Sequence, residues 1–170
     1  MMAAPIETGG TVMAKGSYIL VLQLDHTVDD LQVGRLGIFS FPVGYYLYVG
    51  SAFGAGGLSA RLRHHERREK SRLHWHIDYL RAHAHLHEIW TVSGPLRMEC
   101  RWCATLASAP DVSIPAVGFG SRDTGCRSHL FHLSRPPRSL MLSHILLTDI
   151  TAADGPLEIL VEVHSFDPGT

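Results

Sequence analysis

Residues 44–72 read GYYLYVGSAFGAGGLSARLRHHERREKSR, and the fold is decided by how that stretch changes character along its length. It opens on aromatic and β-branched residues at 45–49, which predict a short buried strand. A turn holding Gly50, Gly54, Gly56 and Gly57 follows. From Leu58 the spacing becomes helical: Leu58, Leu62 and His65 share one face, and Arg61, Arg63, Arg67 and Arg68 lie around the other sides. Strand, glycine turn and basic helix in succession make a cradle for a phosphate. Glycines let the backbone approach closely, a helix start offers N–H groups, and arginines add charge. An ordinary strand-to-helix connection with a solvated basic face has the same features. No Gly-Lys-Ser/Thr follows the glycines, which excludes a nucleoside-triphosphate P-loop.

A chain of 170 residues, 45% hydrophobic and 18% charged, fits one globular domain with a real core rather than a disordered segment. The formal net charge of −1 supplies no global field for nucleic acid. Basicity is instead concentrated: Arg61, Arg63, Arg67, Arg68, Lys70 and Arg72 face only Glu66 and Glu69 within residues 61–72. That contrast points to a specific anionic ligand more than to bulk polyanion binding. Three cysteines, Cys100, Cys103 and Cys126, form no secreted-type framework. No apolar run reaches bilayer length, and residues 1–15 lack the layout of a signal peptide, so the expected setting is cytoplasmic, with no membrane partner. Among the 12 histidines, His64, His65, His74, His76, His83, His85 and His87 crowd into one region, which favours proton transfer or metal binding there.

Outward from residues 44–72, residues 1–14 carry no structural signal and are expected to form a disordered leader. Residues 16–25, GSYILVLQLD, predict a central strand. Residues 26–34 read as polar and turn-like. Residues 36–41 read as a strand, joined by Pro42-Val43-Gly44 to the strand at 45–49 as a hairpin. Residues 74–80, HWHIDYL, begin a short second helix, and residues 86–92 form another strand. Residues 96–107 have helical spacing, with Leu96, Cys100, Cys103 and Leu106 or Ala107 on one stripe. Residues 108–127 are a long loop, and 129–133 a last core strand. The segment 134–138, SRPPR, looks like a linker, and the apolar runs at 140–147 and 157–163 have no assigned place. The whole reads as an α+β domain with a small mixed, mainly antiparallel central sheet flanked by helices and an extra N-terminal hairpin.

Gly16-Ser17-Tyr18 and Tyr48-Val49-Gly50 resemble the two halves of the GIY-YIG nuclease signature, with Ser17 and Val49 in place of Ile. Arg61 and His65, four residues apart after the second half, match the arrangement of that family, and Glu99 matches its single metal-binding acid. Residues 34–37 (GRLG), 48–58 (YVGSAFGAGGL) and 74–80, Glu99-Cys100, and 128–131 (SHLF) resemble one branch, catalogued only as a domain of unknown function with a GIY-YIG-like core. Some members of that branch are fused to DNA glycosylases of the endonuclease III type. The resemblance spans residues 16–133. It implies a nuclease domain over 15–133, with 134–170 as linker and C-terminal extension. Two departures stand out: the long interval from Tyr18 to Tyr48, filled by the extra hairpin around residues 31–41, and Thr124 where a cysteine is expected. The latter weakens a zinc site built there with Cys126.

The resemblance implies a DNA endonuclease acting in repair, with DNA as substrate and a DNA glycosylase or other repair protein as partner. Glu99 would hold one Mg²⁺ or Mn²⁺ with waters in the other positions. Arg61 would bind non-bridging phosphate oxygens, and Tyr18 or Tyr48 would orient or deprotonate the attacking water. His65 would relay that proton. Ser51, Arg63, Arg67, Arg68, Lys70 and Arg72 would contact the nucleic-acid backbone. His74, His76, Asp78, Cys126 and His129 are candidates for support, His74 or His76 pairing with Asp78 in a helical or extended geometry. Without the resemblance, Tyr18 and Tyr48 read as core aromatics, Glu99 as a surface charge, and the two helical cysteines as core fillers. Two other classes compete. One is a catalytically idle nucleic-acid module on the same fold. The other is a zinc deaminase, loosely matched by His85, His87, Glu88, Pro95, Cys100 and Cys103, although the His-x-Glu and Pro-Cys-x-x-Cys details fail.

Overall fold

The computed structural model describes residues 14–138 and 160–166. In chain order the elements are β1 (Gly16–Leu24), β2 (Val28–Val33), β3 (Gly37–Phe41), β4 (Gly44–Ala52), α1 (Gly57–Glu66), α2 (His76–Arg81), β5 (His85–Ser93), α3 (Glu99–Ala107), β6 (Leu130–Leu133) and β7 (Leu160–Ser165). Five strands form one sheet in the order β6-β4-β1-β5-β7, and β2 and β3 pair as a separate hairpin. Every pairing between these strands is antiparallel, which corrects the expectation of a partly parallel sheet.

β1 lies between β4 and β5, and its sequence explains the place: GSYILVLQL offers apolar side chains to both faces. Tyr18, Leu20, Leu22 and Leu24 enter one core with Tyr46 and Tyr48 of β4, Leu58 of α1, Ile77 and Leu80 of α2, and Val33 and Phe41 of the hairpin. Ile19 and Val21 enter the other, with Leu47, Val49, Met98, Trp102, Cys103 and Leu106. Period-two alternation thus separates a face covered by α1, α2 and the hairpin from one covered by α3. On β5, Leu86 and Ile89 share the first core at an odd spacing, because the β1–β5 register shifts between Val21 and Leu22. Such an irregularity re-phases a strand without breaking it.

Several expectations change. Residues 28–33 are a strand, not a turn, and β3 pairs back onto β2 rather than forward onto β4. β4 instead pairs with β1 and β6, since its buried aromatics need the central sheet. α1 stops at Glu66, with Arg67 already extended, so Arg67 and Arg68 follow the helix instead of lining it. The cause is Arg81, fully buried, whose guanidinium takes the carbonyls of His65 (3.1 Å) and Glu66 (3.2 Å) as well as Ala84 (2.7 Å). Those two are among the last carbonyls of α1, left without helical partners, and a cation is the favoured group there. On α3, Cys103 is buried but Cys100 is exposed, so the predicted stripe is narrower. β7 pairs with β5, giving part of the second apolar run of the tail a place at the sheet edge, whereas residues 140–147 lie outside the described residues.

Candidate active site

Tyr18 stands opposite Gly50 and Tyr48 opposite Leu20, so the tyrosines are diagonal neighbours on one face. A Cβ on Gly50 would overlap the Tyr18 ring, and one on Gly16 would overlap the carbonyl of Val92. Glycine in both tripeptides is therefore a packing requirement. Ser17 faces the opposite side, where its buried hydroxyl accepts the amide of Met98 at 3.0 Å and so fixes where α3 begins.

The Tyr18 hydroxyl and His65 Nε2 are 2.8 Å apart in a buried contact, and the Tyr48 and His65 rings meet edge-on at 6.1 Å. Burial, reinforced by the charges of Lys70 and His64, holds His65 down to about 3. Its imidazole is therefore neutral at physiological pH, and its buried Nδ1 has no hydrogen-bond partner. Burial pushes the Tyr18 and Tyr48 hydroxyls above the ordinary phenol range, with mutual repulsion next for Tyr18 and the Glu99 charge next for Tyr48. Arg61 acts on both in the opposite sense. Both are thus neutral phenols unless a further cation arrives.

Arg61 lies with its guanidinium carbon 4.4 Å from the Trp75 ring centroid, on a cleft shared with Ala52, Gly54, Ala60 and His64. That stacking aims a planar cation while leaving its N–H groups for an anion. The helix start contributes less than the glycine turn suggested. The Gly57 amide is taken by the Gly54 carbonyl (3.2 Å) and the Leu58 amide by that of Ala14 (2.8 Å). A second open cleft brings Tyr48 together with His74, Trp75, His76, Gly120 and Arg122. His76 Nδ1 accepts the Gly120 amide at 2.9 Å, which pins the loop before β6.

Asp78 is fully buried, and both its oxygens are occupied. Oδ1 meets His64 Nε2 (2.9 Å) and Lys70 Nζ (2.5 Å); Oδ2 accepts the amides of His74 (2.9 Å) and Trp75 (3.0 Å). Burial alone would raise its carboxyl, but the Lys70, Trp75, His74 and His64 hydrogen bonds hold it down to about 2. His64, His65 and Asp78 lie close enough to share an ion. Four donors already saturate the carboxylate, however, and its role is to cap α2 and lock the segment before it. Lys70, expected as a phosphate contact, is inside that lock, its side chain only 6% exposed. Arg63, Arg67, Arg68 and Arg72 are exposed; Arg68 donates to the Ala82 carbonyl at 3.3 Å.

Glu99 opens α3, with Oε1 3.2 Å from His129 Nδ1 and its side chain 21% exposed. Its negative charge reaches Tyr18 and Tyr48. His129 Nε2 meets Thr124 Oγ1 at 3.1 Å, and Thr124 Oγ1 also accepts the Cys126 amide at 3.3 Å. Burial alone would lower His129, but the hydrogen bonds to Glu99 and Cys126 raise it. A family model described as "Domain of unknown function DUF123" matches residues 17–150, most of the chain. The protein belongs to this family. No curated protein and no solved structure matches it.

In this DUF123 domain, Tyr18, Tyr48, Arg61, His65 and Glu99 surround one end of the central strands. Ser51 sits half-buried on β4, directly after Tyr48-Val49-Gly50. His74 and His76 reach the Tyr48 cleft; Cys126 and His129 stand behind Glu99. The deaminase set is not assembled: His85 pairs with Asp25 at 2.9 Å, whereas Cys103 groups with Cys126 and His129 and the Cys100 sulfur lies 3.2 Å from that of Cys126. Sequence reasoning missed Trp75, His64, Arg81 and Gly120. An Arg-to-Trp stacking across a helix and a loop, and an arginine clamp on carbonyls, leave no short-range sequence signal.

Proposed function

We propose that this domain is a divalent-metal-dependent endonuclease that hydrolyses DNA phosphodiester bonds in the GIY-YIG manner, in DNA repair. The observation that carries the reading is the convergence on one end of the sheet of two tyrosine hydroxyls, a neutral histidine, a stacked arginine and a partly exposed carboxylate. Those are the parts phosphodiester hydrolysis needs: a positioned water, a proton acceptor, a cation for the phosphate charge and a carboxylate for a metal.

The residues fit a hard cation. Glu99 has one oxygen held by His129 and is partly exposed, so its other oxygen and solvent can complete an oxygen-rich shell. Bound there, Mg²⁺ or Mn²⁺ would supply Lewis-acid polarisation of the phosphate and stabilise the departing oxygen. Arg61, steadied on Trp75, binds the non-bridging oxygens as charge develops on them. Tyr48 lines the open cleft and orients the attacking water, whereas Tyr18 is sealed and bonded to His65. His65, neutral and 2.8 Å from the Tyr18 hydroxyl, holds that hydroxyl in place, and it relays a proton only once the negative charge of a bound phosphate restores the basicity that burial removes. Arg63, Arg67, Arg68 and Arg72 hold the DNA backbone, and a DNA glycosylase or other repair enzyme is the partner this activity would serve. The idle-module reading draws on one observation, the burial that raises both tyrosines.

Incubation with single-stranded, duplex, branched and abasic DNAs, with Mg²⁺, Mn²⁺ or chelator, tests the proposal. Cleavage of at least one substrate with metal and none with chelator is expected. Tight binding without cleavage would support the idle module, and neither binding nor cleavage would defeat both.

A further inference from the structure

Trp75 borders both open clefts at the end of the sheet where the tyrosines lie. In one it carries the Arg61 guanidinium, 4.4 Å from its ring centroid. In the other it joins Tyr48, His74, His76 and Gly120, with Arg122 and Asp123 on the exposed side. The hydrolytic steps use only the Tyr48 hydroxyl of this second cleft, yet its walls are firmly set. The His74 and Trp75 amides both go to the Asp78 carboxylate, at 2.9 and 3.0 Å. His76 Nδ1 accepts the Gly120 amide at 2.9 Å, which leaves Nε2 as the N–H donor of the neutral ring. Burial, then the Arg122 charge, holds His76 below its ordinary range, in keeping with that neutral form. Gly120 sits at φ 69°, and a Cβ there would stand 3.0 Å from Tyr48 Cε2, so beside Tyr48 the cleft is lined by bare backbone. The loop bearing Arg122 and Asp123 is closed at its base: the Gly118 amide donates to the Arg127 carbonyl (2.8 Å) and the His129 amide to that of Phe119 (2.9 Å).

We propose that this second cleft receives one unpaired nucleobase of the strand being cut, so that the substrate class is DNA unpaired next to the scissile phosphate. The inference rests on the nuclease reading for the cut, and on the cleft itself for the base. Its walls are aromatic rings from Tyr48, Trp75, His74 and His76, and every nucleobase has a π-face to lay against such rings. Its polar groups are mixed: N–H donors on Arg122 and His76, acceptor oxygens on Asp123. A base edge presents donors and acceptors together and matches that mixture. A phosphate presents acceptors only, and the Asp123 carboxylate would repel it. The residues lining the Arg61 cleft include no carboxylate, so the phosphate belongs there. The two clefts thus divide one nucleotide, its phosphate at Arg61 and its base across Trp75 beside Tyr48. A base inside a duplex is held by stacking and pairing, and extracting it costs free energy, least where it is already unpaired.

Binding of the full chain is measured in chelator, so that no cleavage intervenes, with single-stranded oligonucleotides carrying a fluorescent adenine analogue and with the same sequences as perfect duplexes. The single strand should bind about tenfold or more tightly than the duplex, with emission quenched at particular positions of the analogue. Asp123→Ala, at an exposed position, is the decisive variant. It removes a negative charge, so a phosphate pocket would bind DNA more tightly after it. A base pocket loses an acceptor instead: single-strand affinity should fall several-fold and the quenching weaken, with the melting temperature unchanged. Tighter or unchanged binding in Asp123→Ala would overturn the proposal. So would equal affinity for single strand and duplex, emission quenched at no position, or no DNA bound at all. Wild-type cleavage with metal judges the nuclease reading separately. Cleavage of perfect duplex as fast as single strand would leave the nuclease and strike the pocket. Position-dependent quenching without any cleavage would leave the pocket and strike the nuclease.

Discussion

Two histidine–carboxylate pairs of similar length lie in this domain: His64–Asp78 at 2.9 Å between α1 and α2, and His129–Glu99 at 3.2 Å between the loop before β6 and α3. Their surroundings differ. Asp78 is buried and accepts from four groups; Glu99 is partly exposed and meets one. A carboxylate with every lone pair engaged organises the fold, while one with an oxygen to spare can take a cation. The count of donors, not the presence of a histidine, separates the two roles.

The largest effect on stability should therefore follow loss of the saturated partner. Asp78→Ala leaves the Lys70 ammonium buried without a counter-charge and frees two backbone amides, so chemical denaturation should report a loss of about 3–5 kcal/mol. Glu99→Ala should cost less than about 1 kcal/mol, as for partly exposed pairs. Equal losses would erase the distinction.

The next effect belongs to the rate. Arg61→Ala should lower single-turnover cleavage by about two to three decades with little change in DNA affinity, the size expected for one preorganised charge donor. Collapse of affinity with a normal rate of bound-DNA cleavage would make Arg61 an anchor. Tyr48→Phe should slow cleavage and spare the melt. Normal cleavage there, with Tyr18→Phe inactive, would move the water-facing role to β1.

Acid should distinguish the two groups around α1 by window. His65 is held down to about 3 from an ordinary 6.5, so the unfolded chain binds a proton that the native one refuses. Stability should fall as pH drops from about 6.5 towards 3, by about 1.4 kcal/mol per pH unit for that one group, and His65→Gln should flatten the slope. Asp78, held at about 2 against an ordinary 3.8, contributes stability that is present above 3.8 and lost only as pH falls through about 2. A profile flat from pH 6.5 to 3 would contradict the buried neutral histidine.

Smallest is the contribution of the outer cations. DNA affinity should fall linearly with log salt, with a slope of about −0.9 per duplex phosphate contact. Neutralising Arg63, Arg67 and Arg72 together should reduce that slope. Lys70→Ala should instead lower the melting temperature, since its charge is spent on Asp78. An unchanged slope in the triple variant would remove the backbone contacts.

How much of this was legible in the sequence depends on the range of the interaction. β1, β4, β5, α1 and α3 follow from hydrophobic alternation and period, which are local. The β2–β3 pairing was not legible, because VDDLQV carries two adjacent aspartates and reads as a turn, although Leu31 and Val33 pack on the first core. The end of α1 was misplaced because Arg81, sixteen residues beyond His65, closes it. At the site, the two tyrosine tripeptides and Arg61 with His65 could be picked out by spacing. Which carboxylate was saturated could not, since Lys70 and Asp78 meet only through a loop. The gathering of the thiols was equally hidden, because α3 and the loop before β6 adjoin only in the fold.

The most direct measurement is single-turnover cleavage of a responsive DNA by wild type and Glu99→Ala across a Mg²⁺ or Mn²⁺ titration, beside a thermal melt of each. Wild-type cleavage should saturate with metal, and Glu99→Ala should give none at any concentration while its melt stays close to wild type. Cleavage by folded Glu99→Ala at the wild-type rate would contradict it.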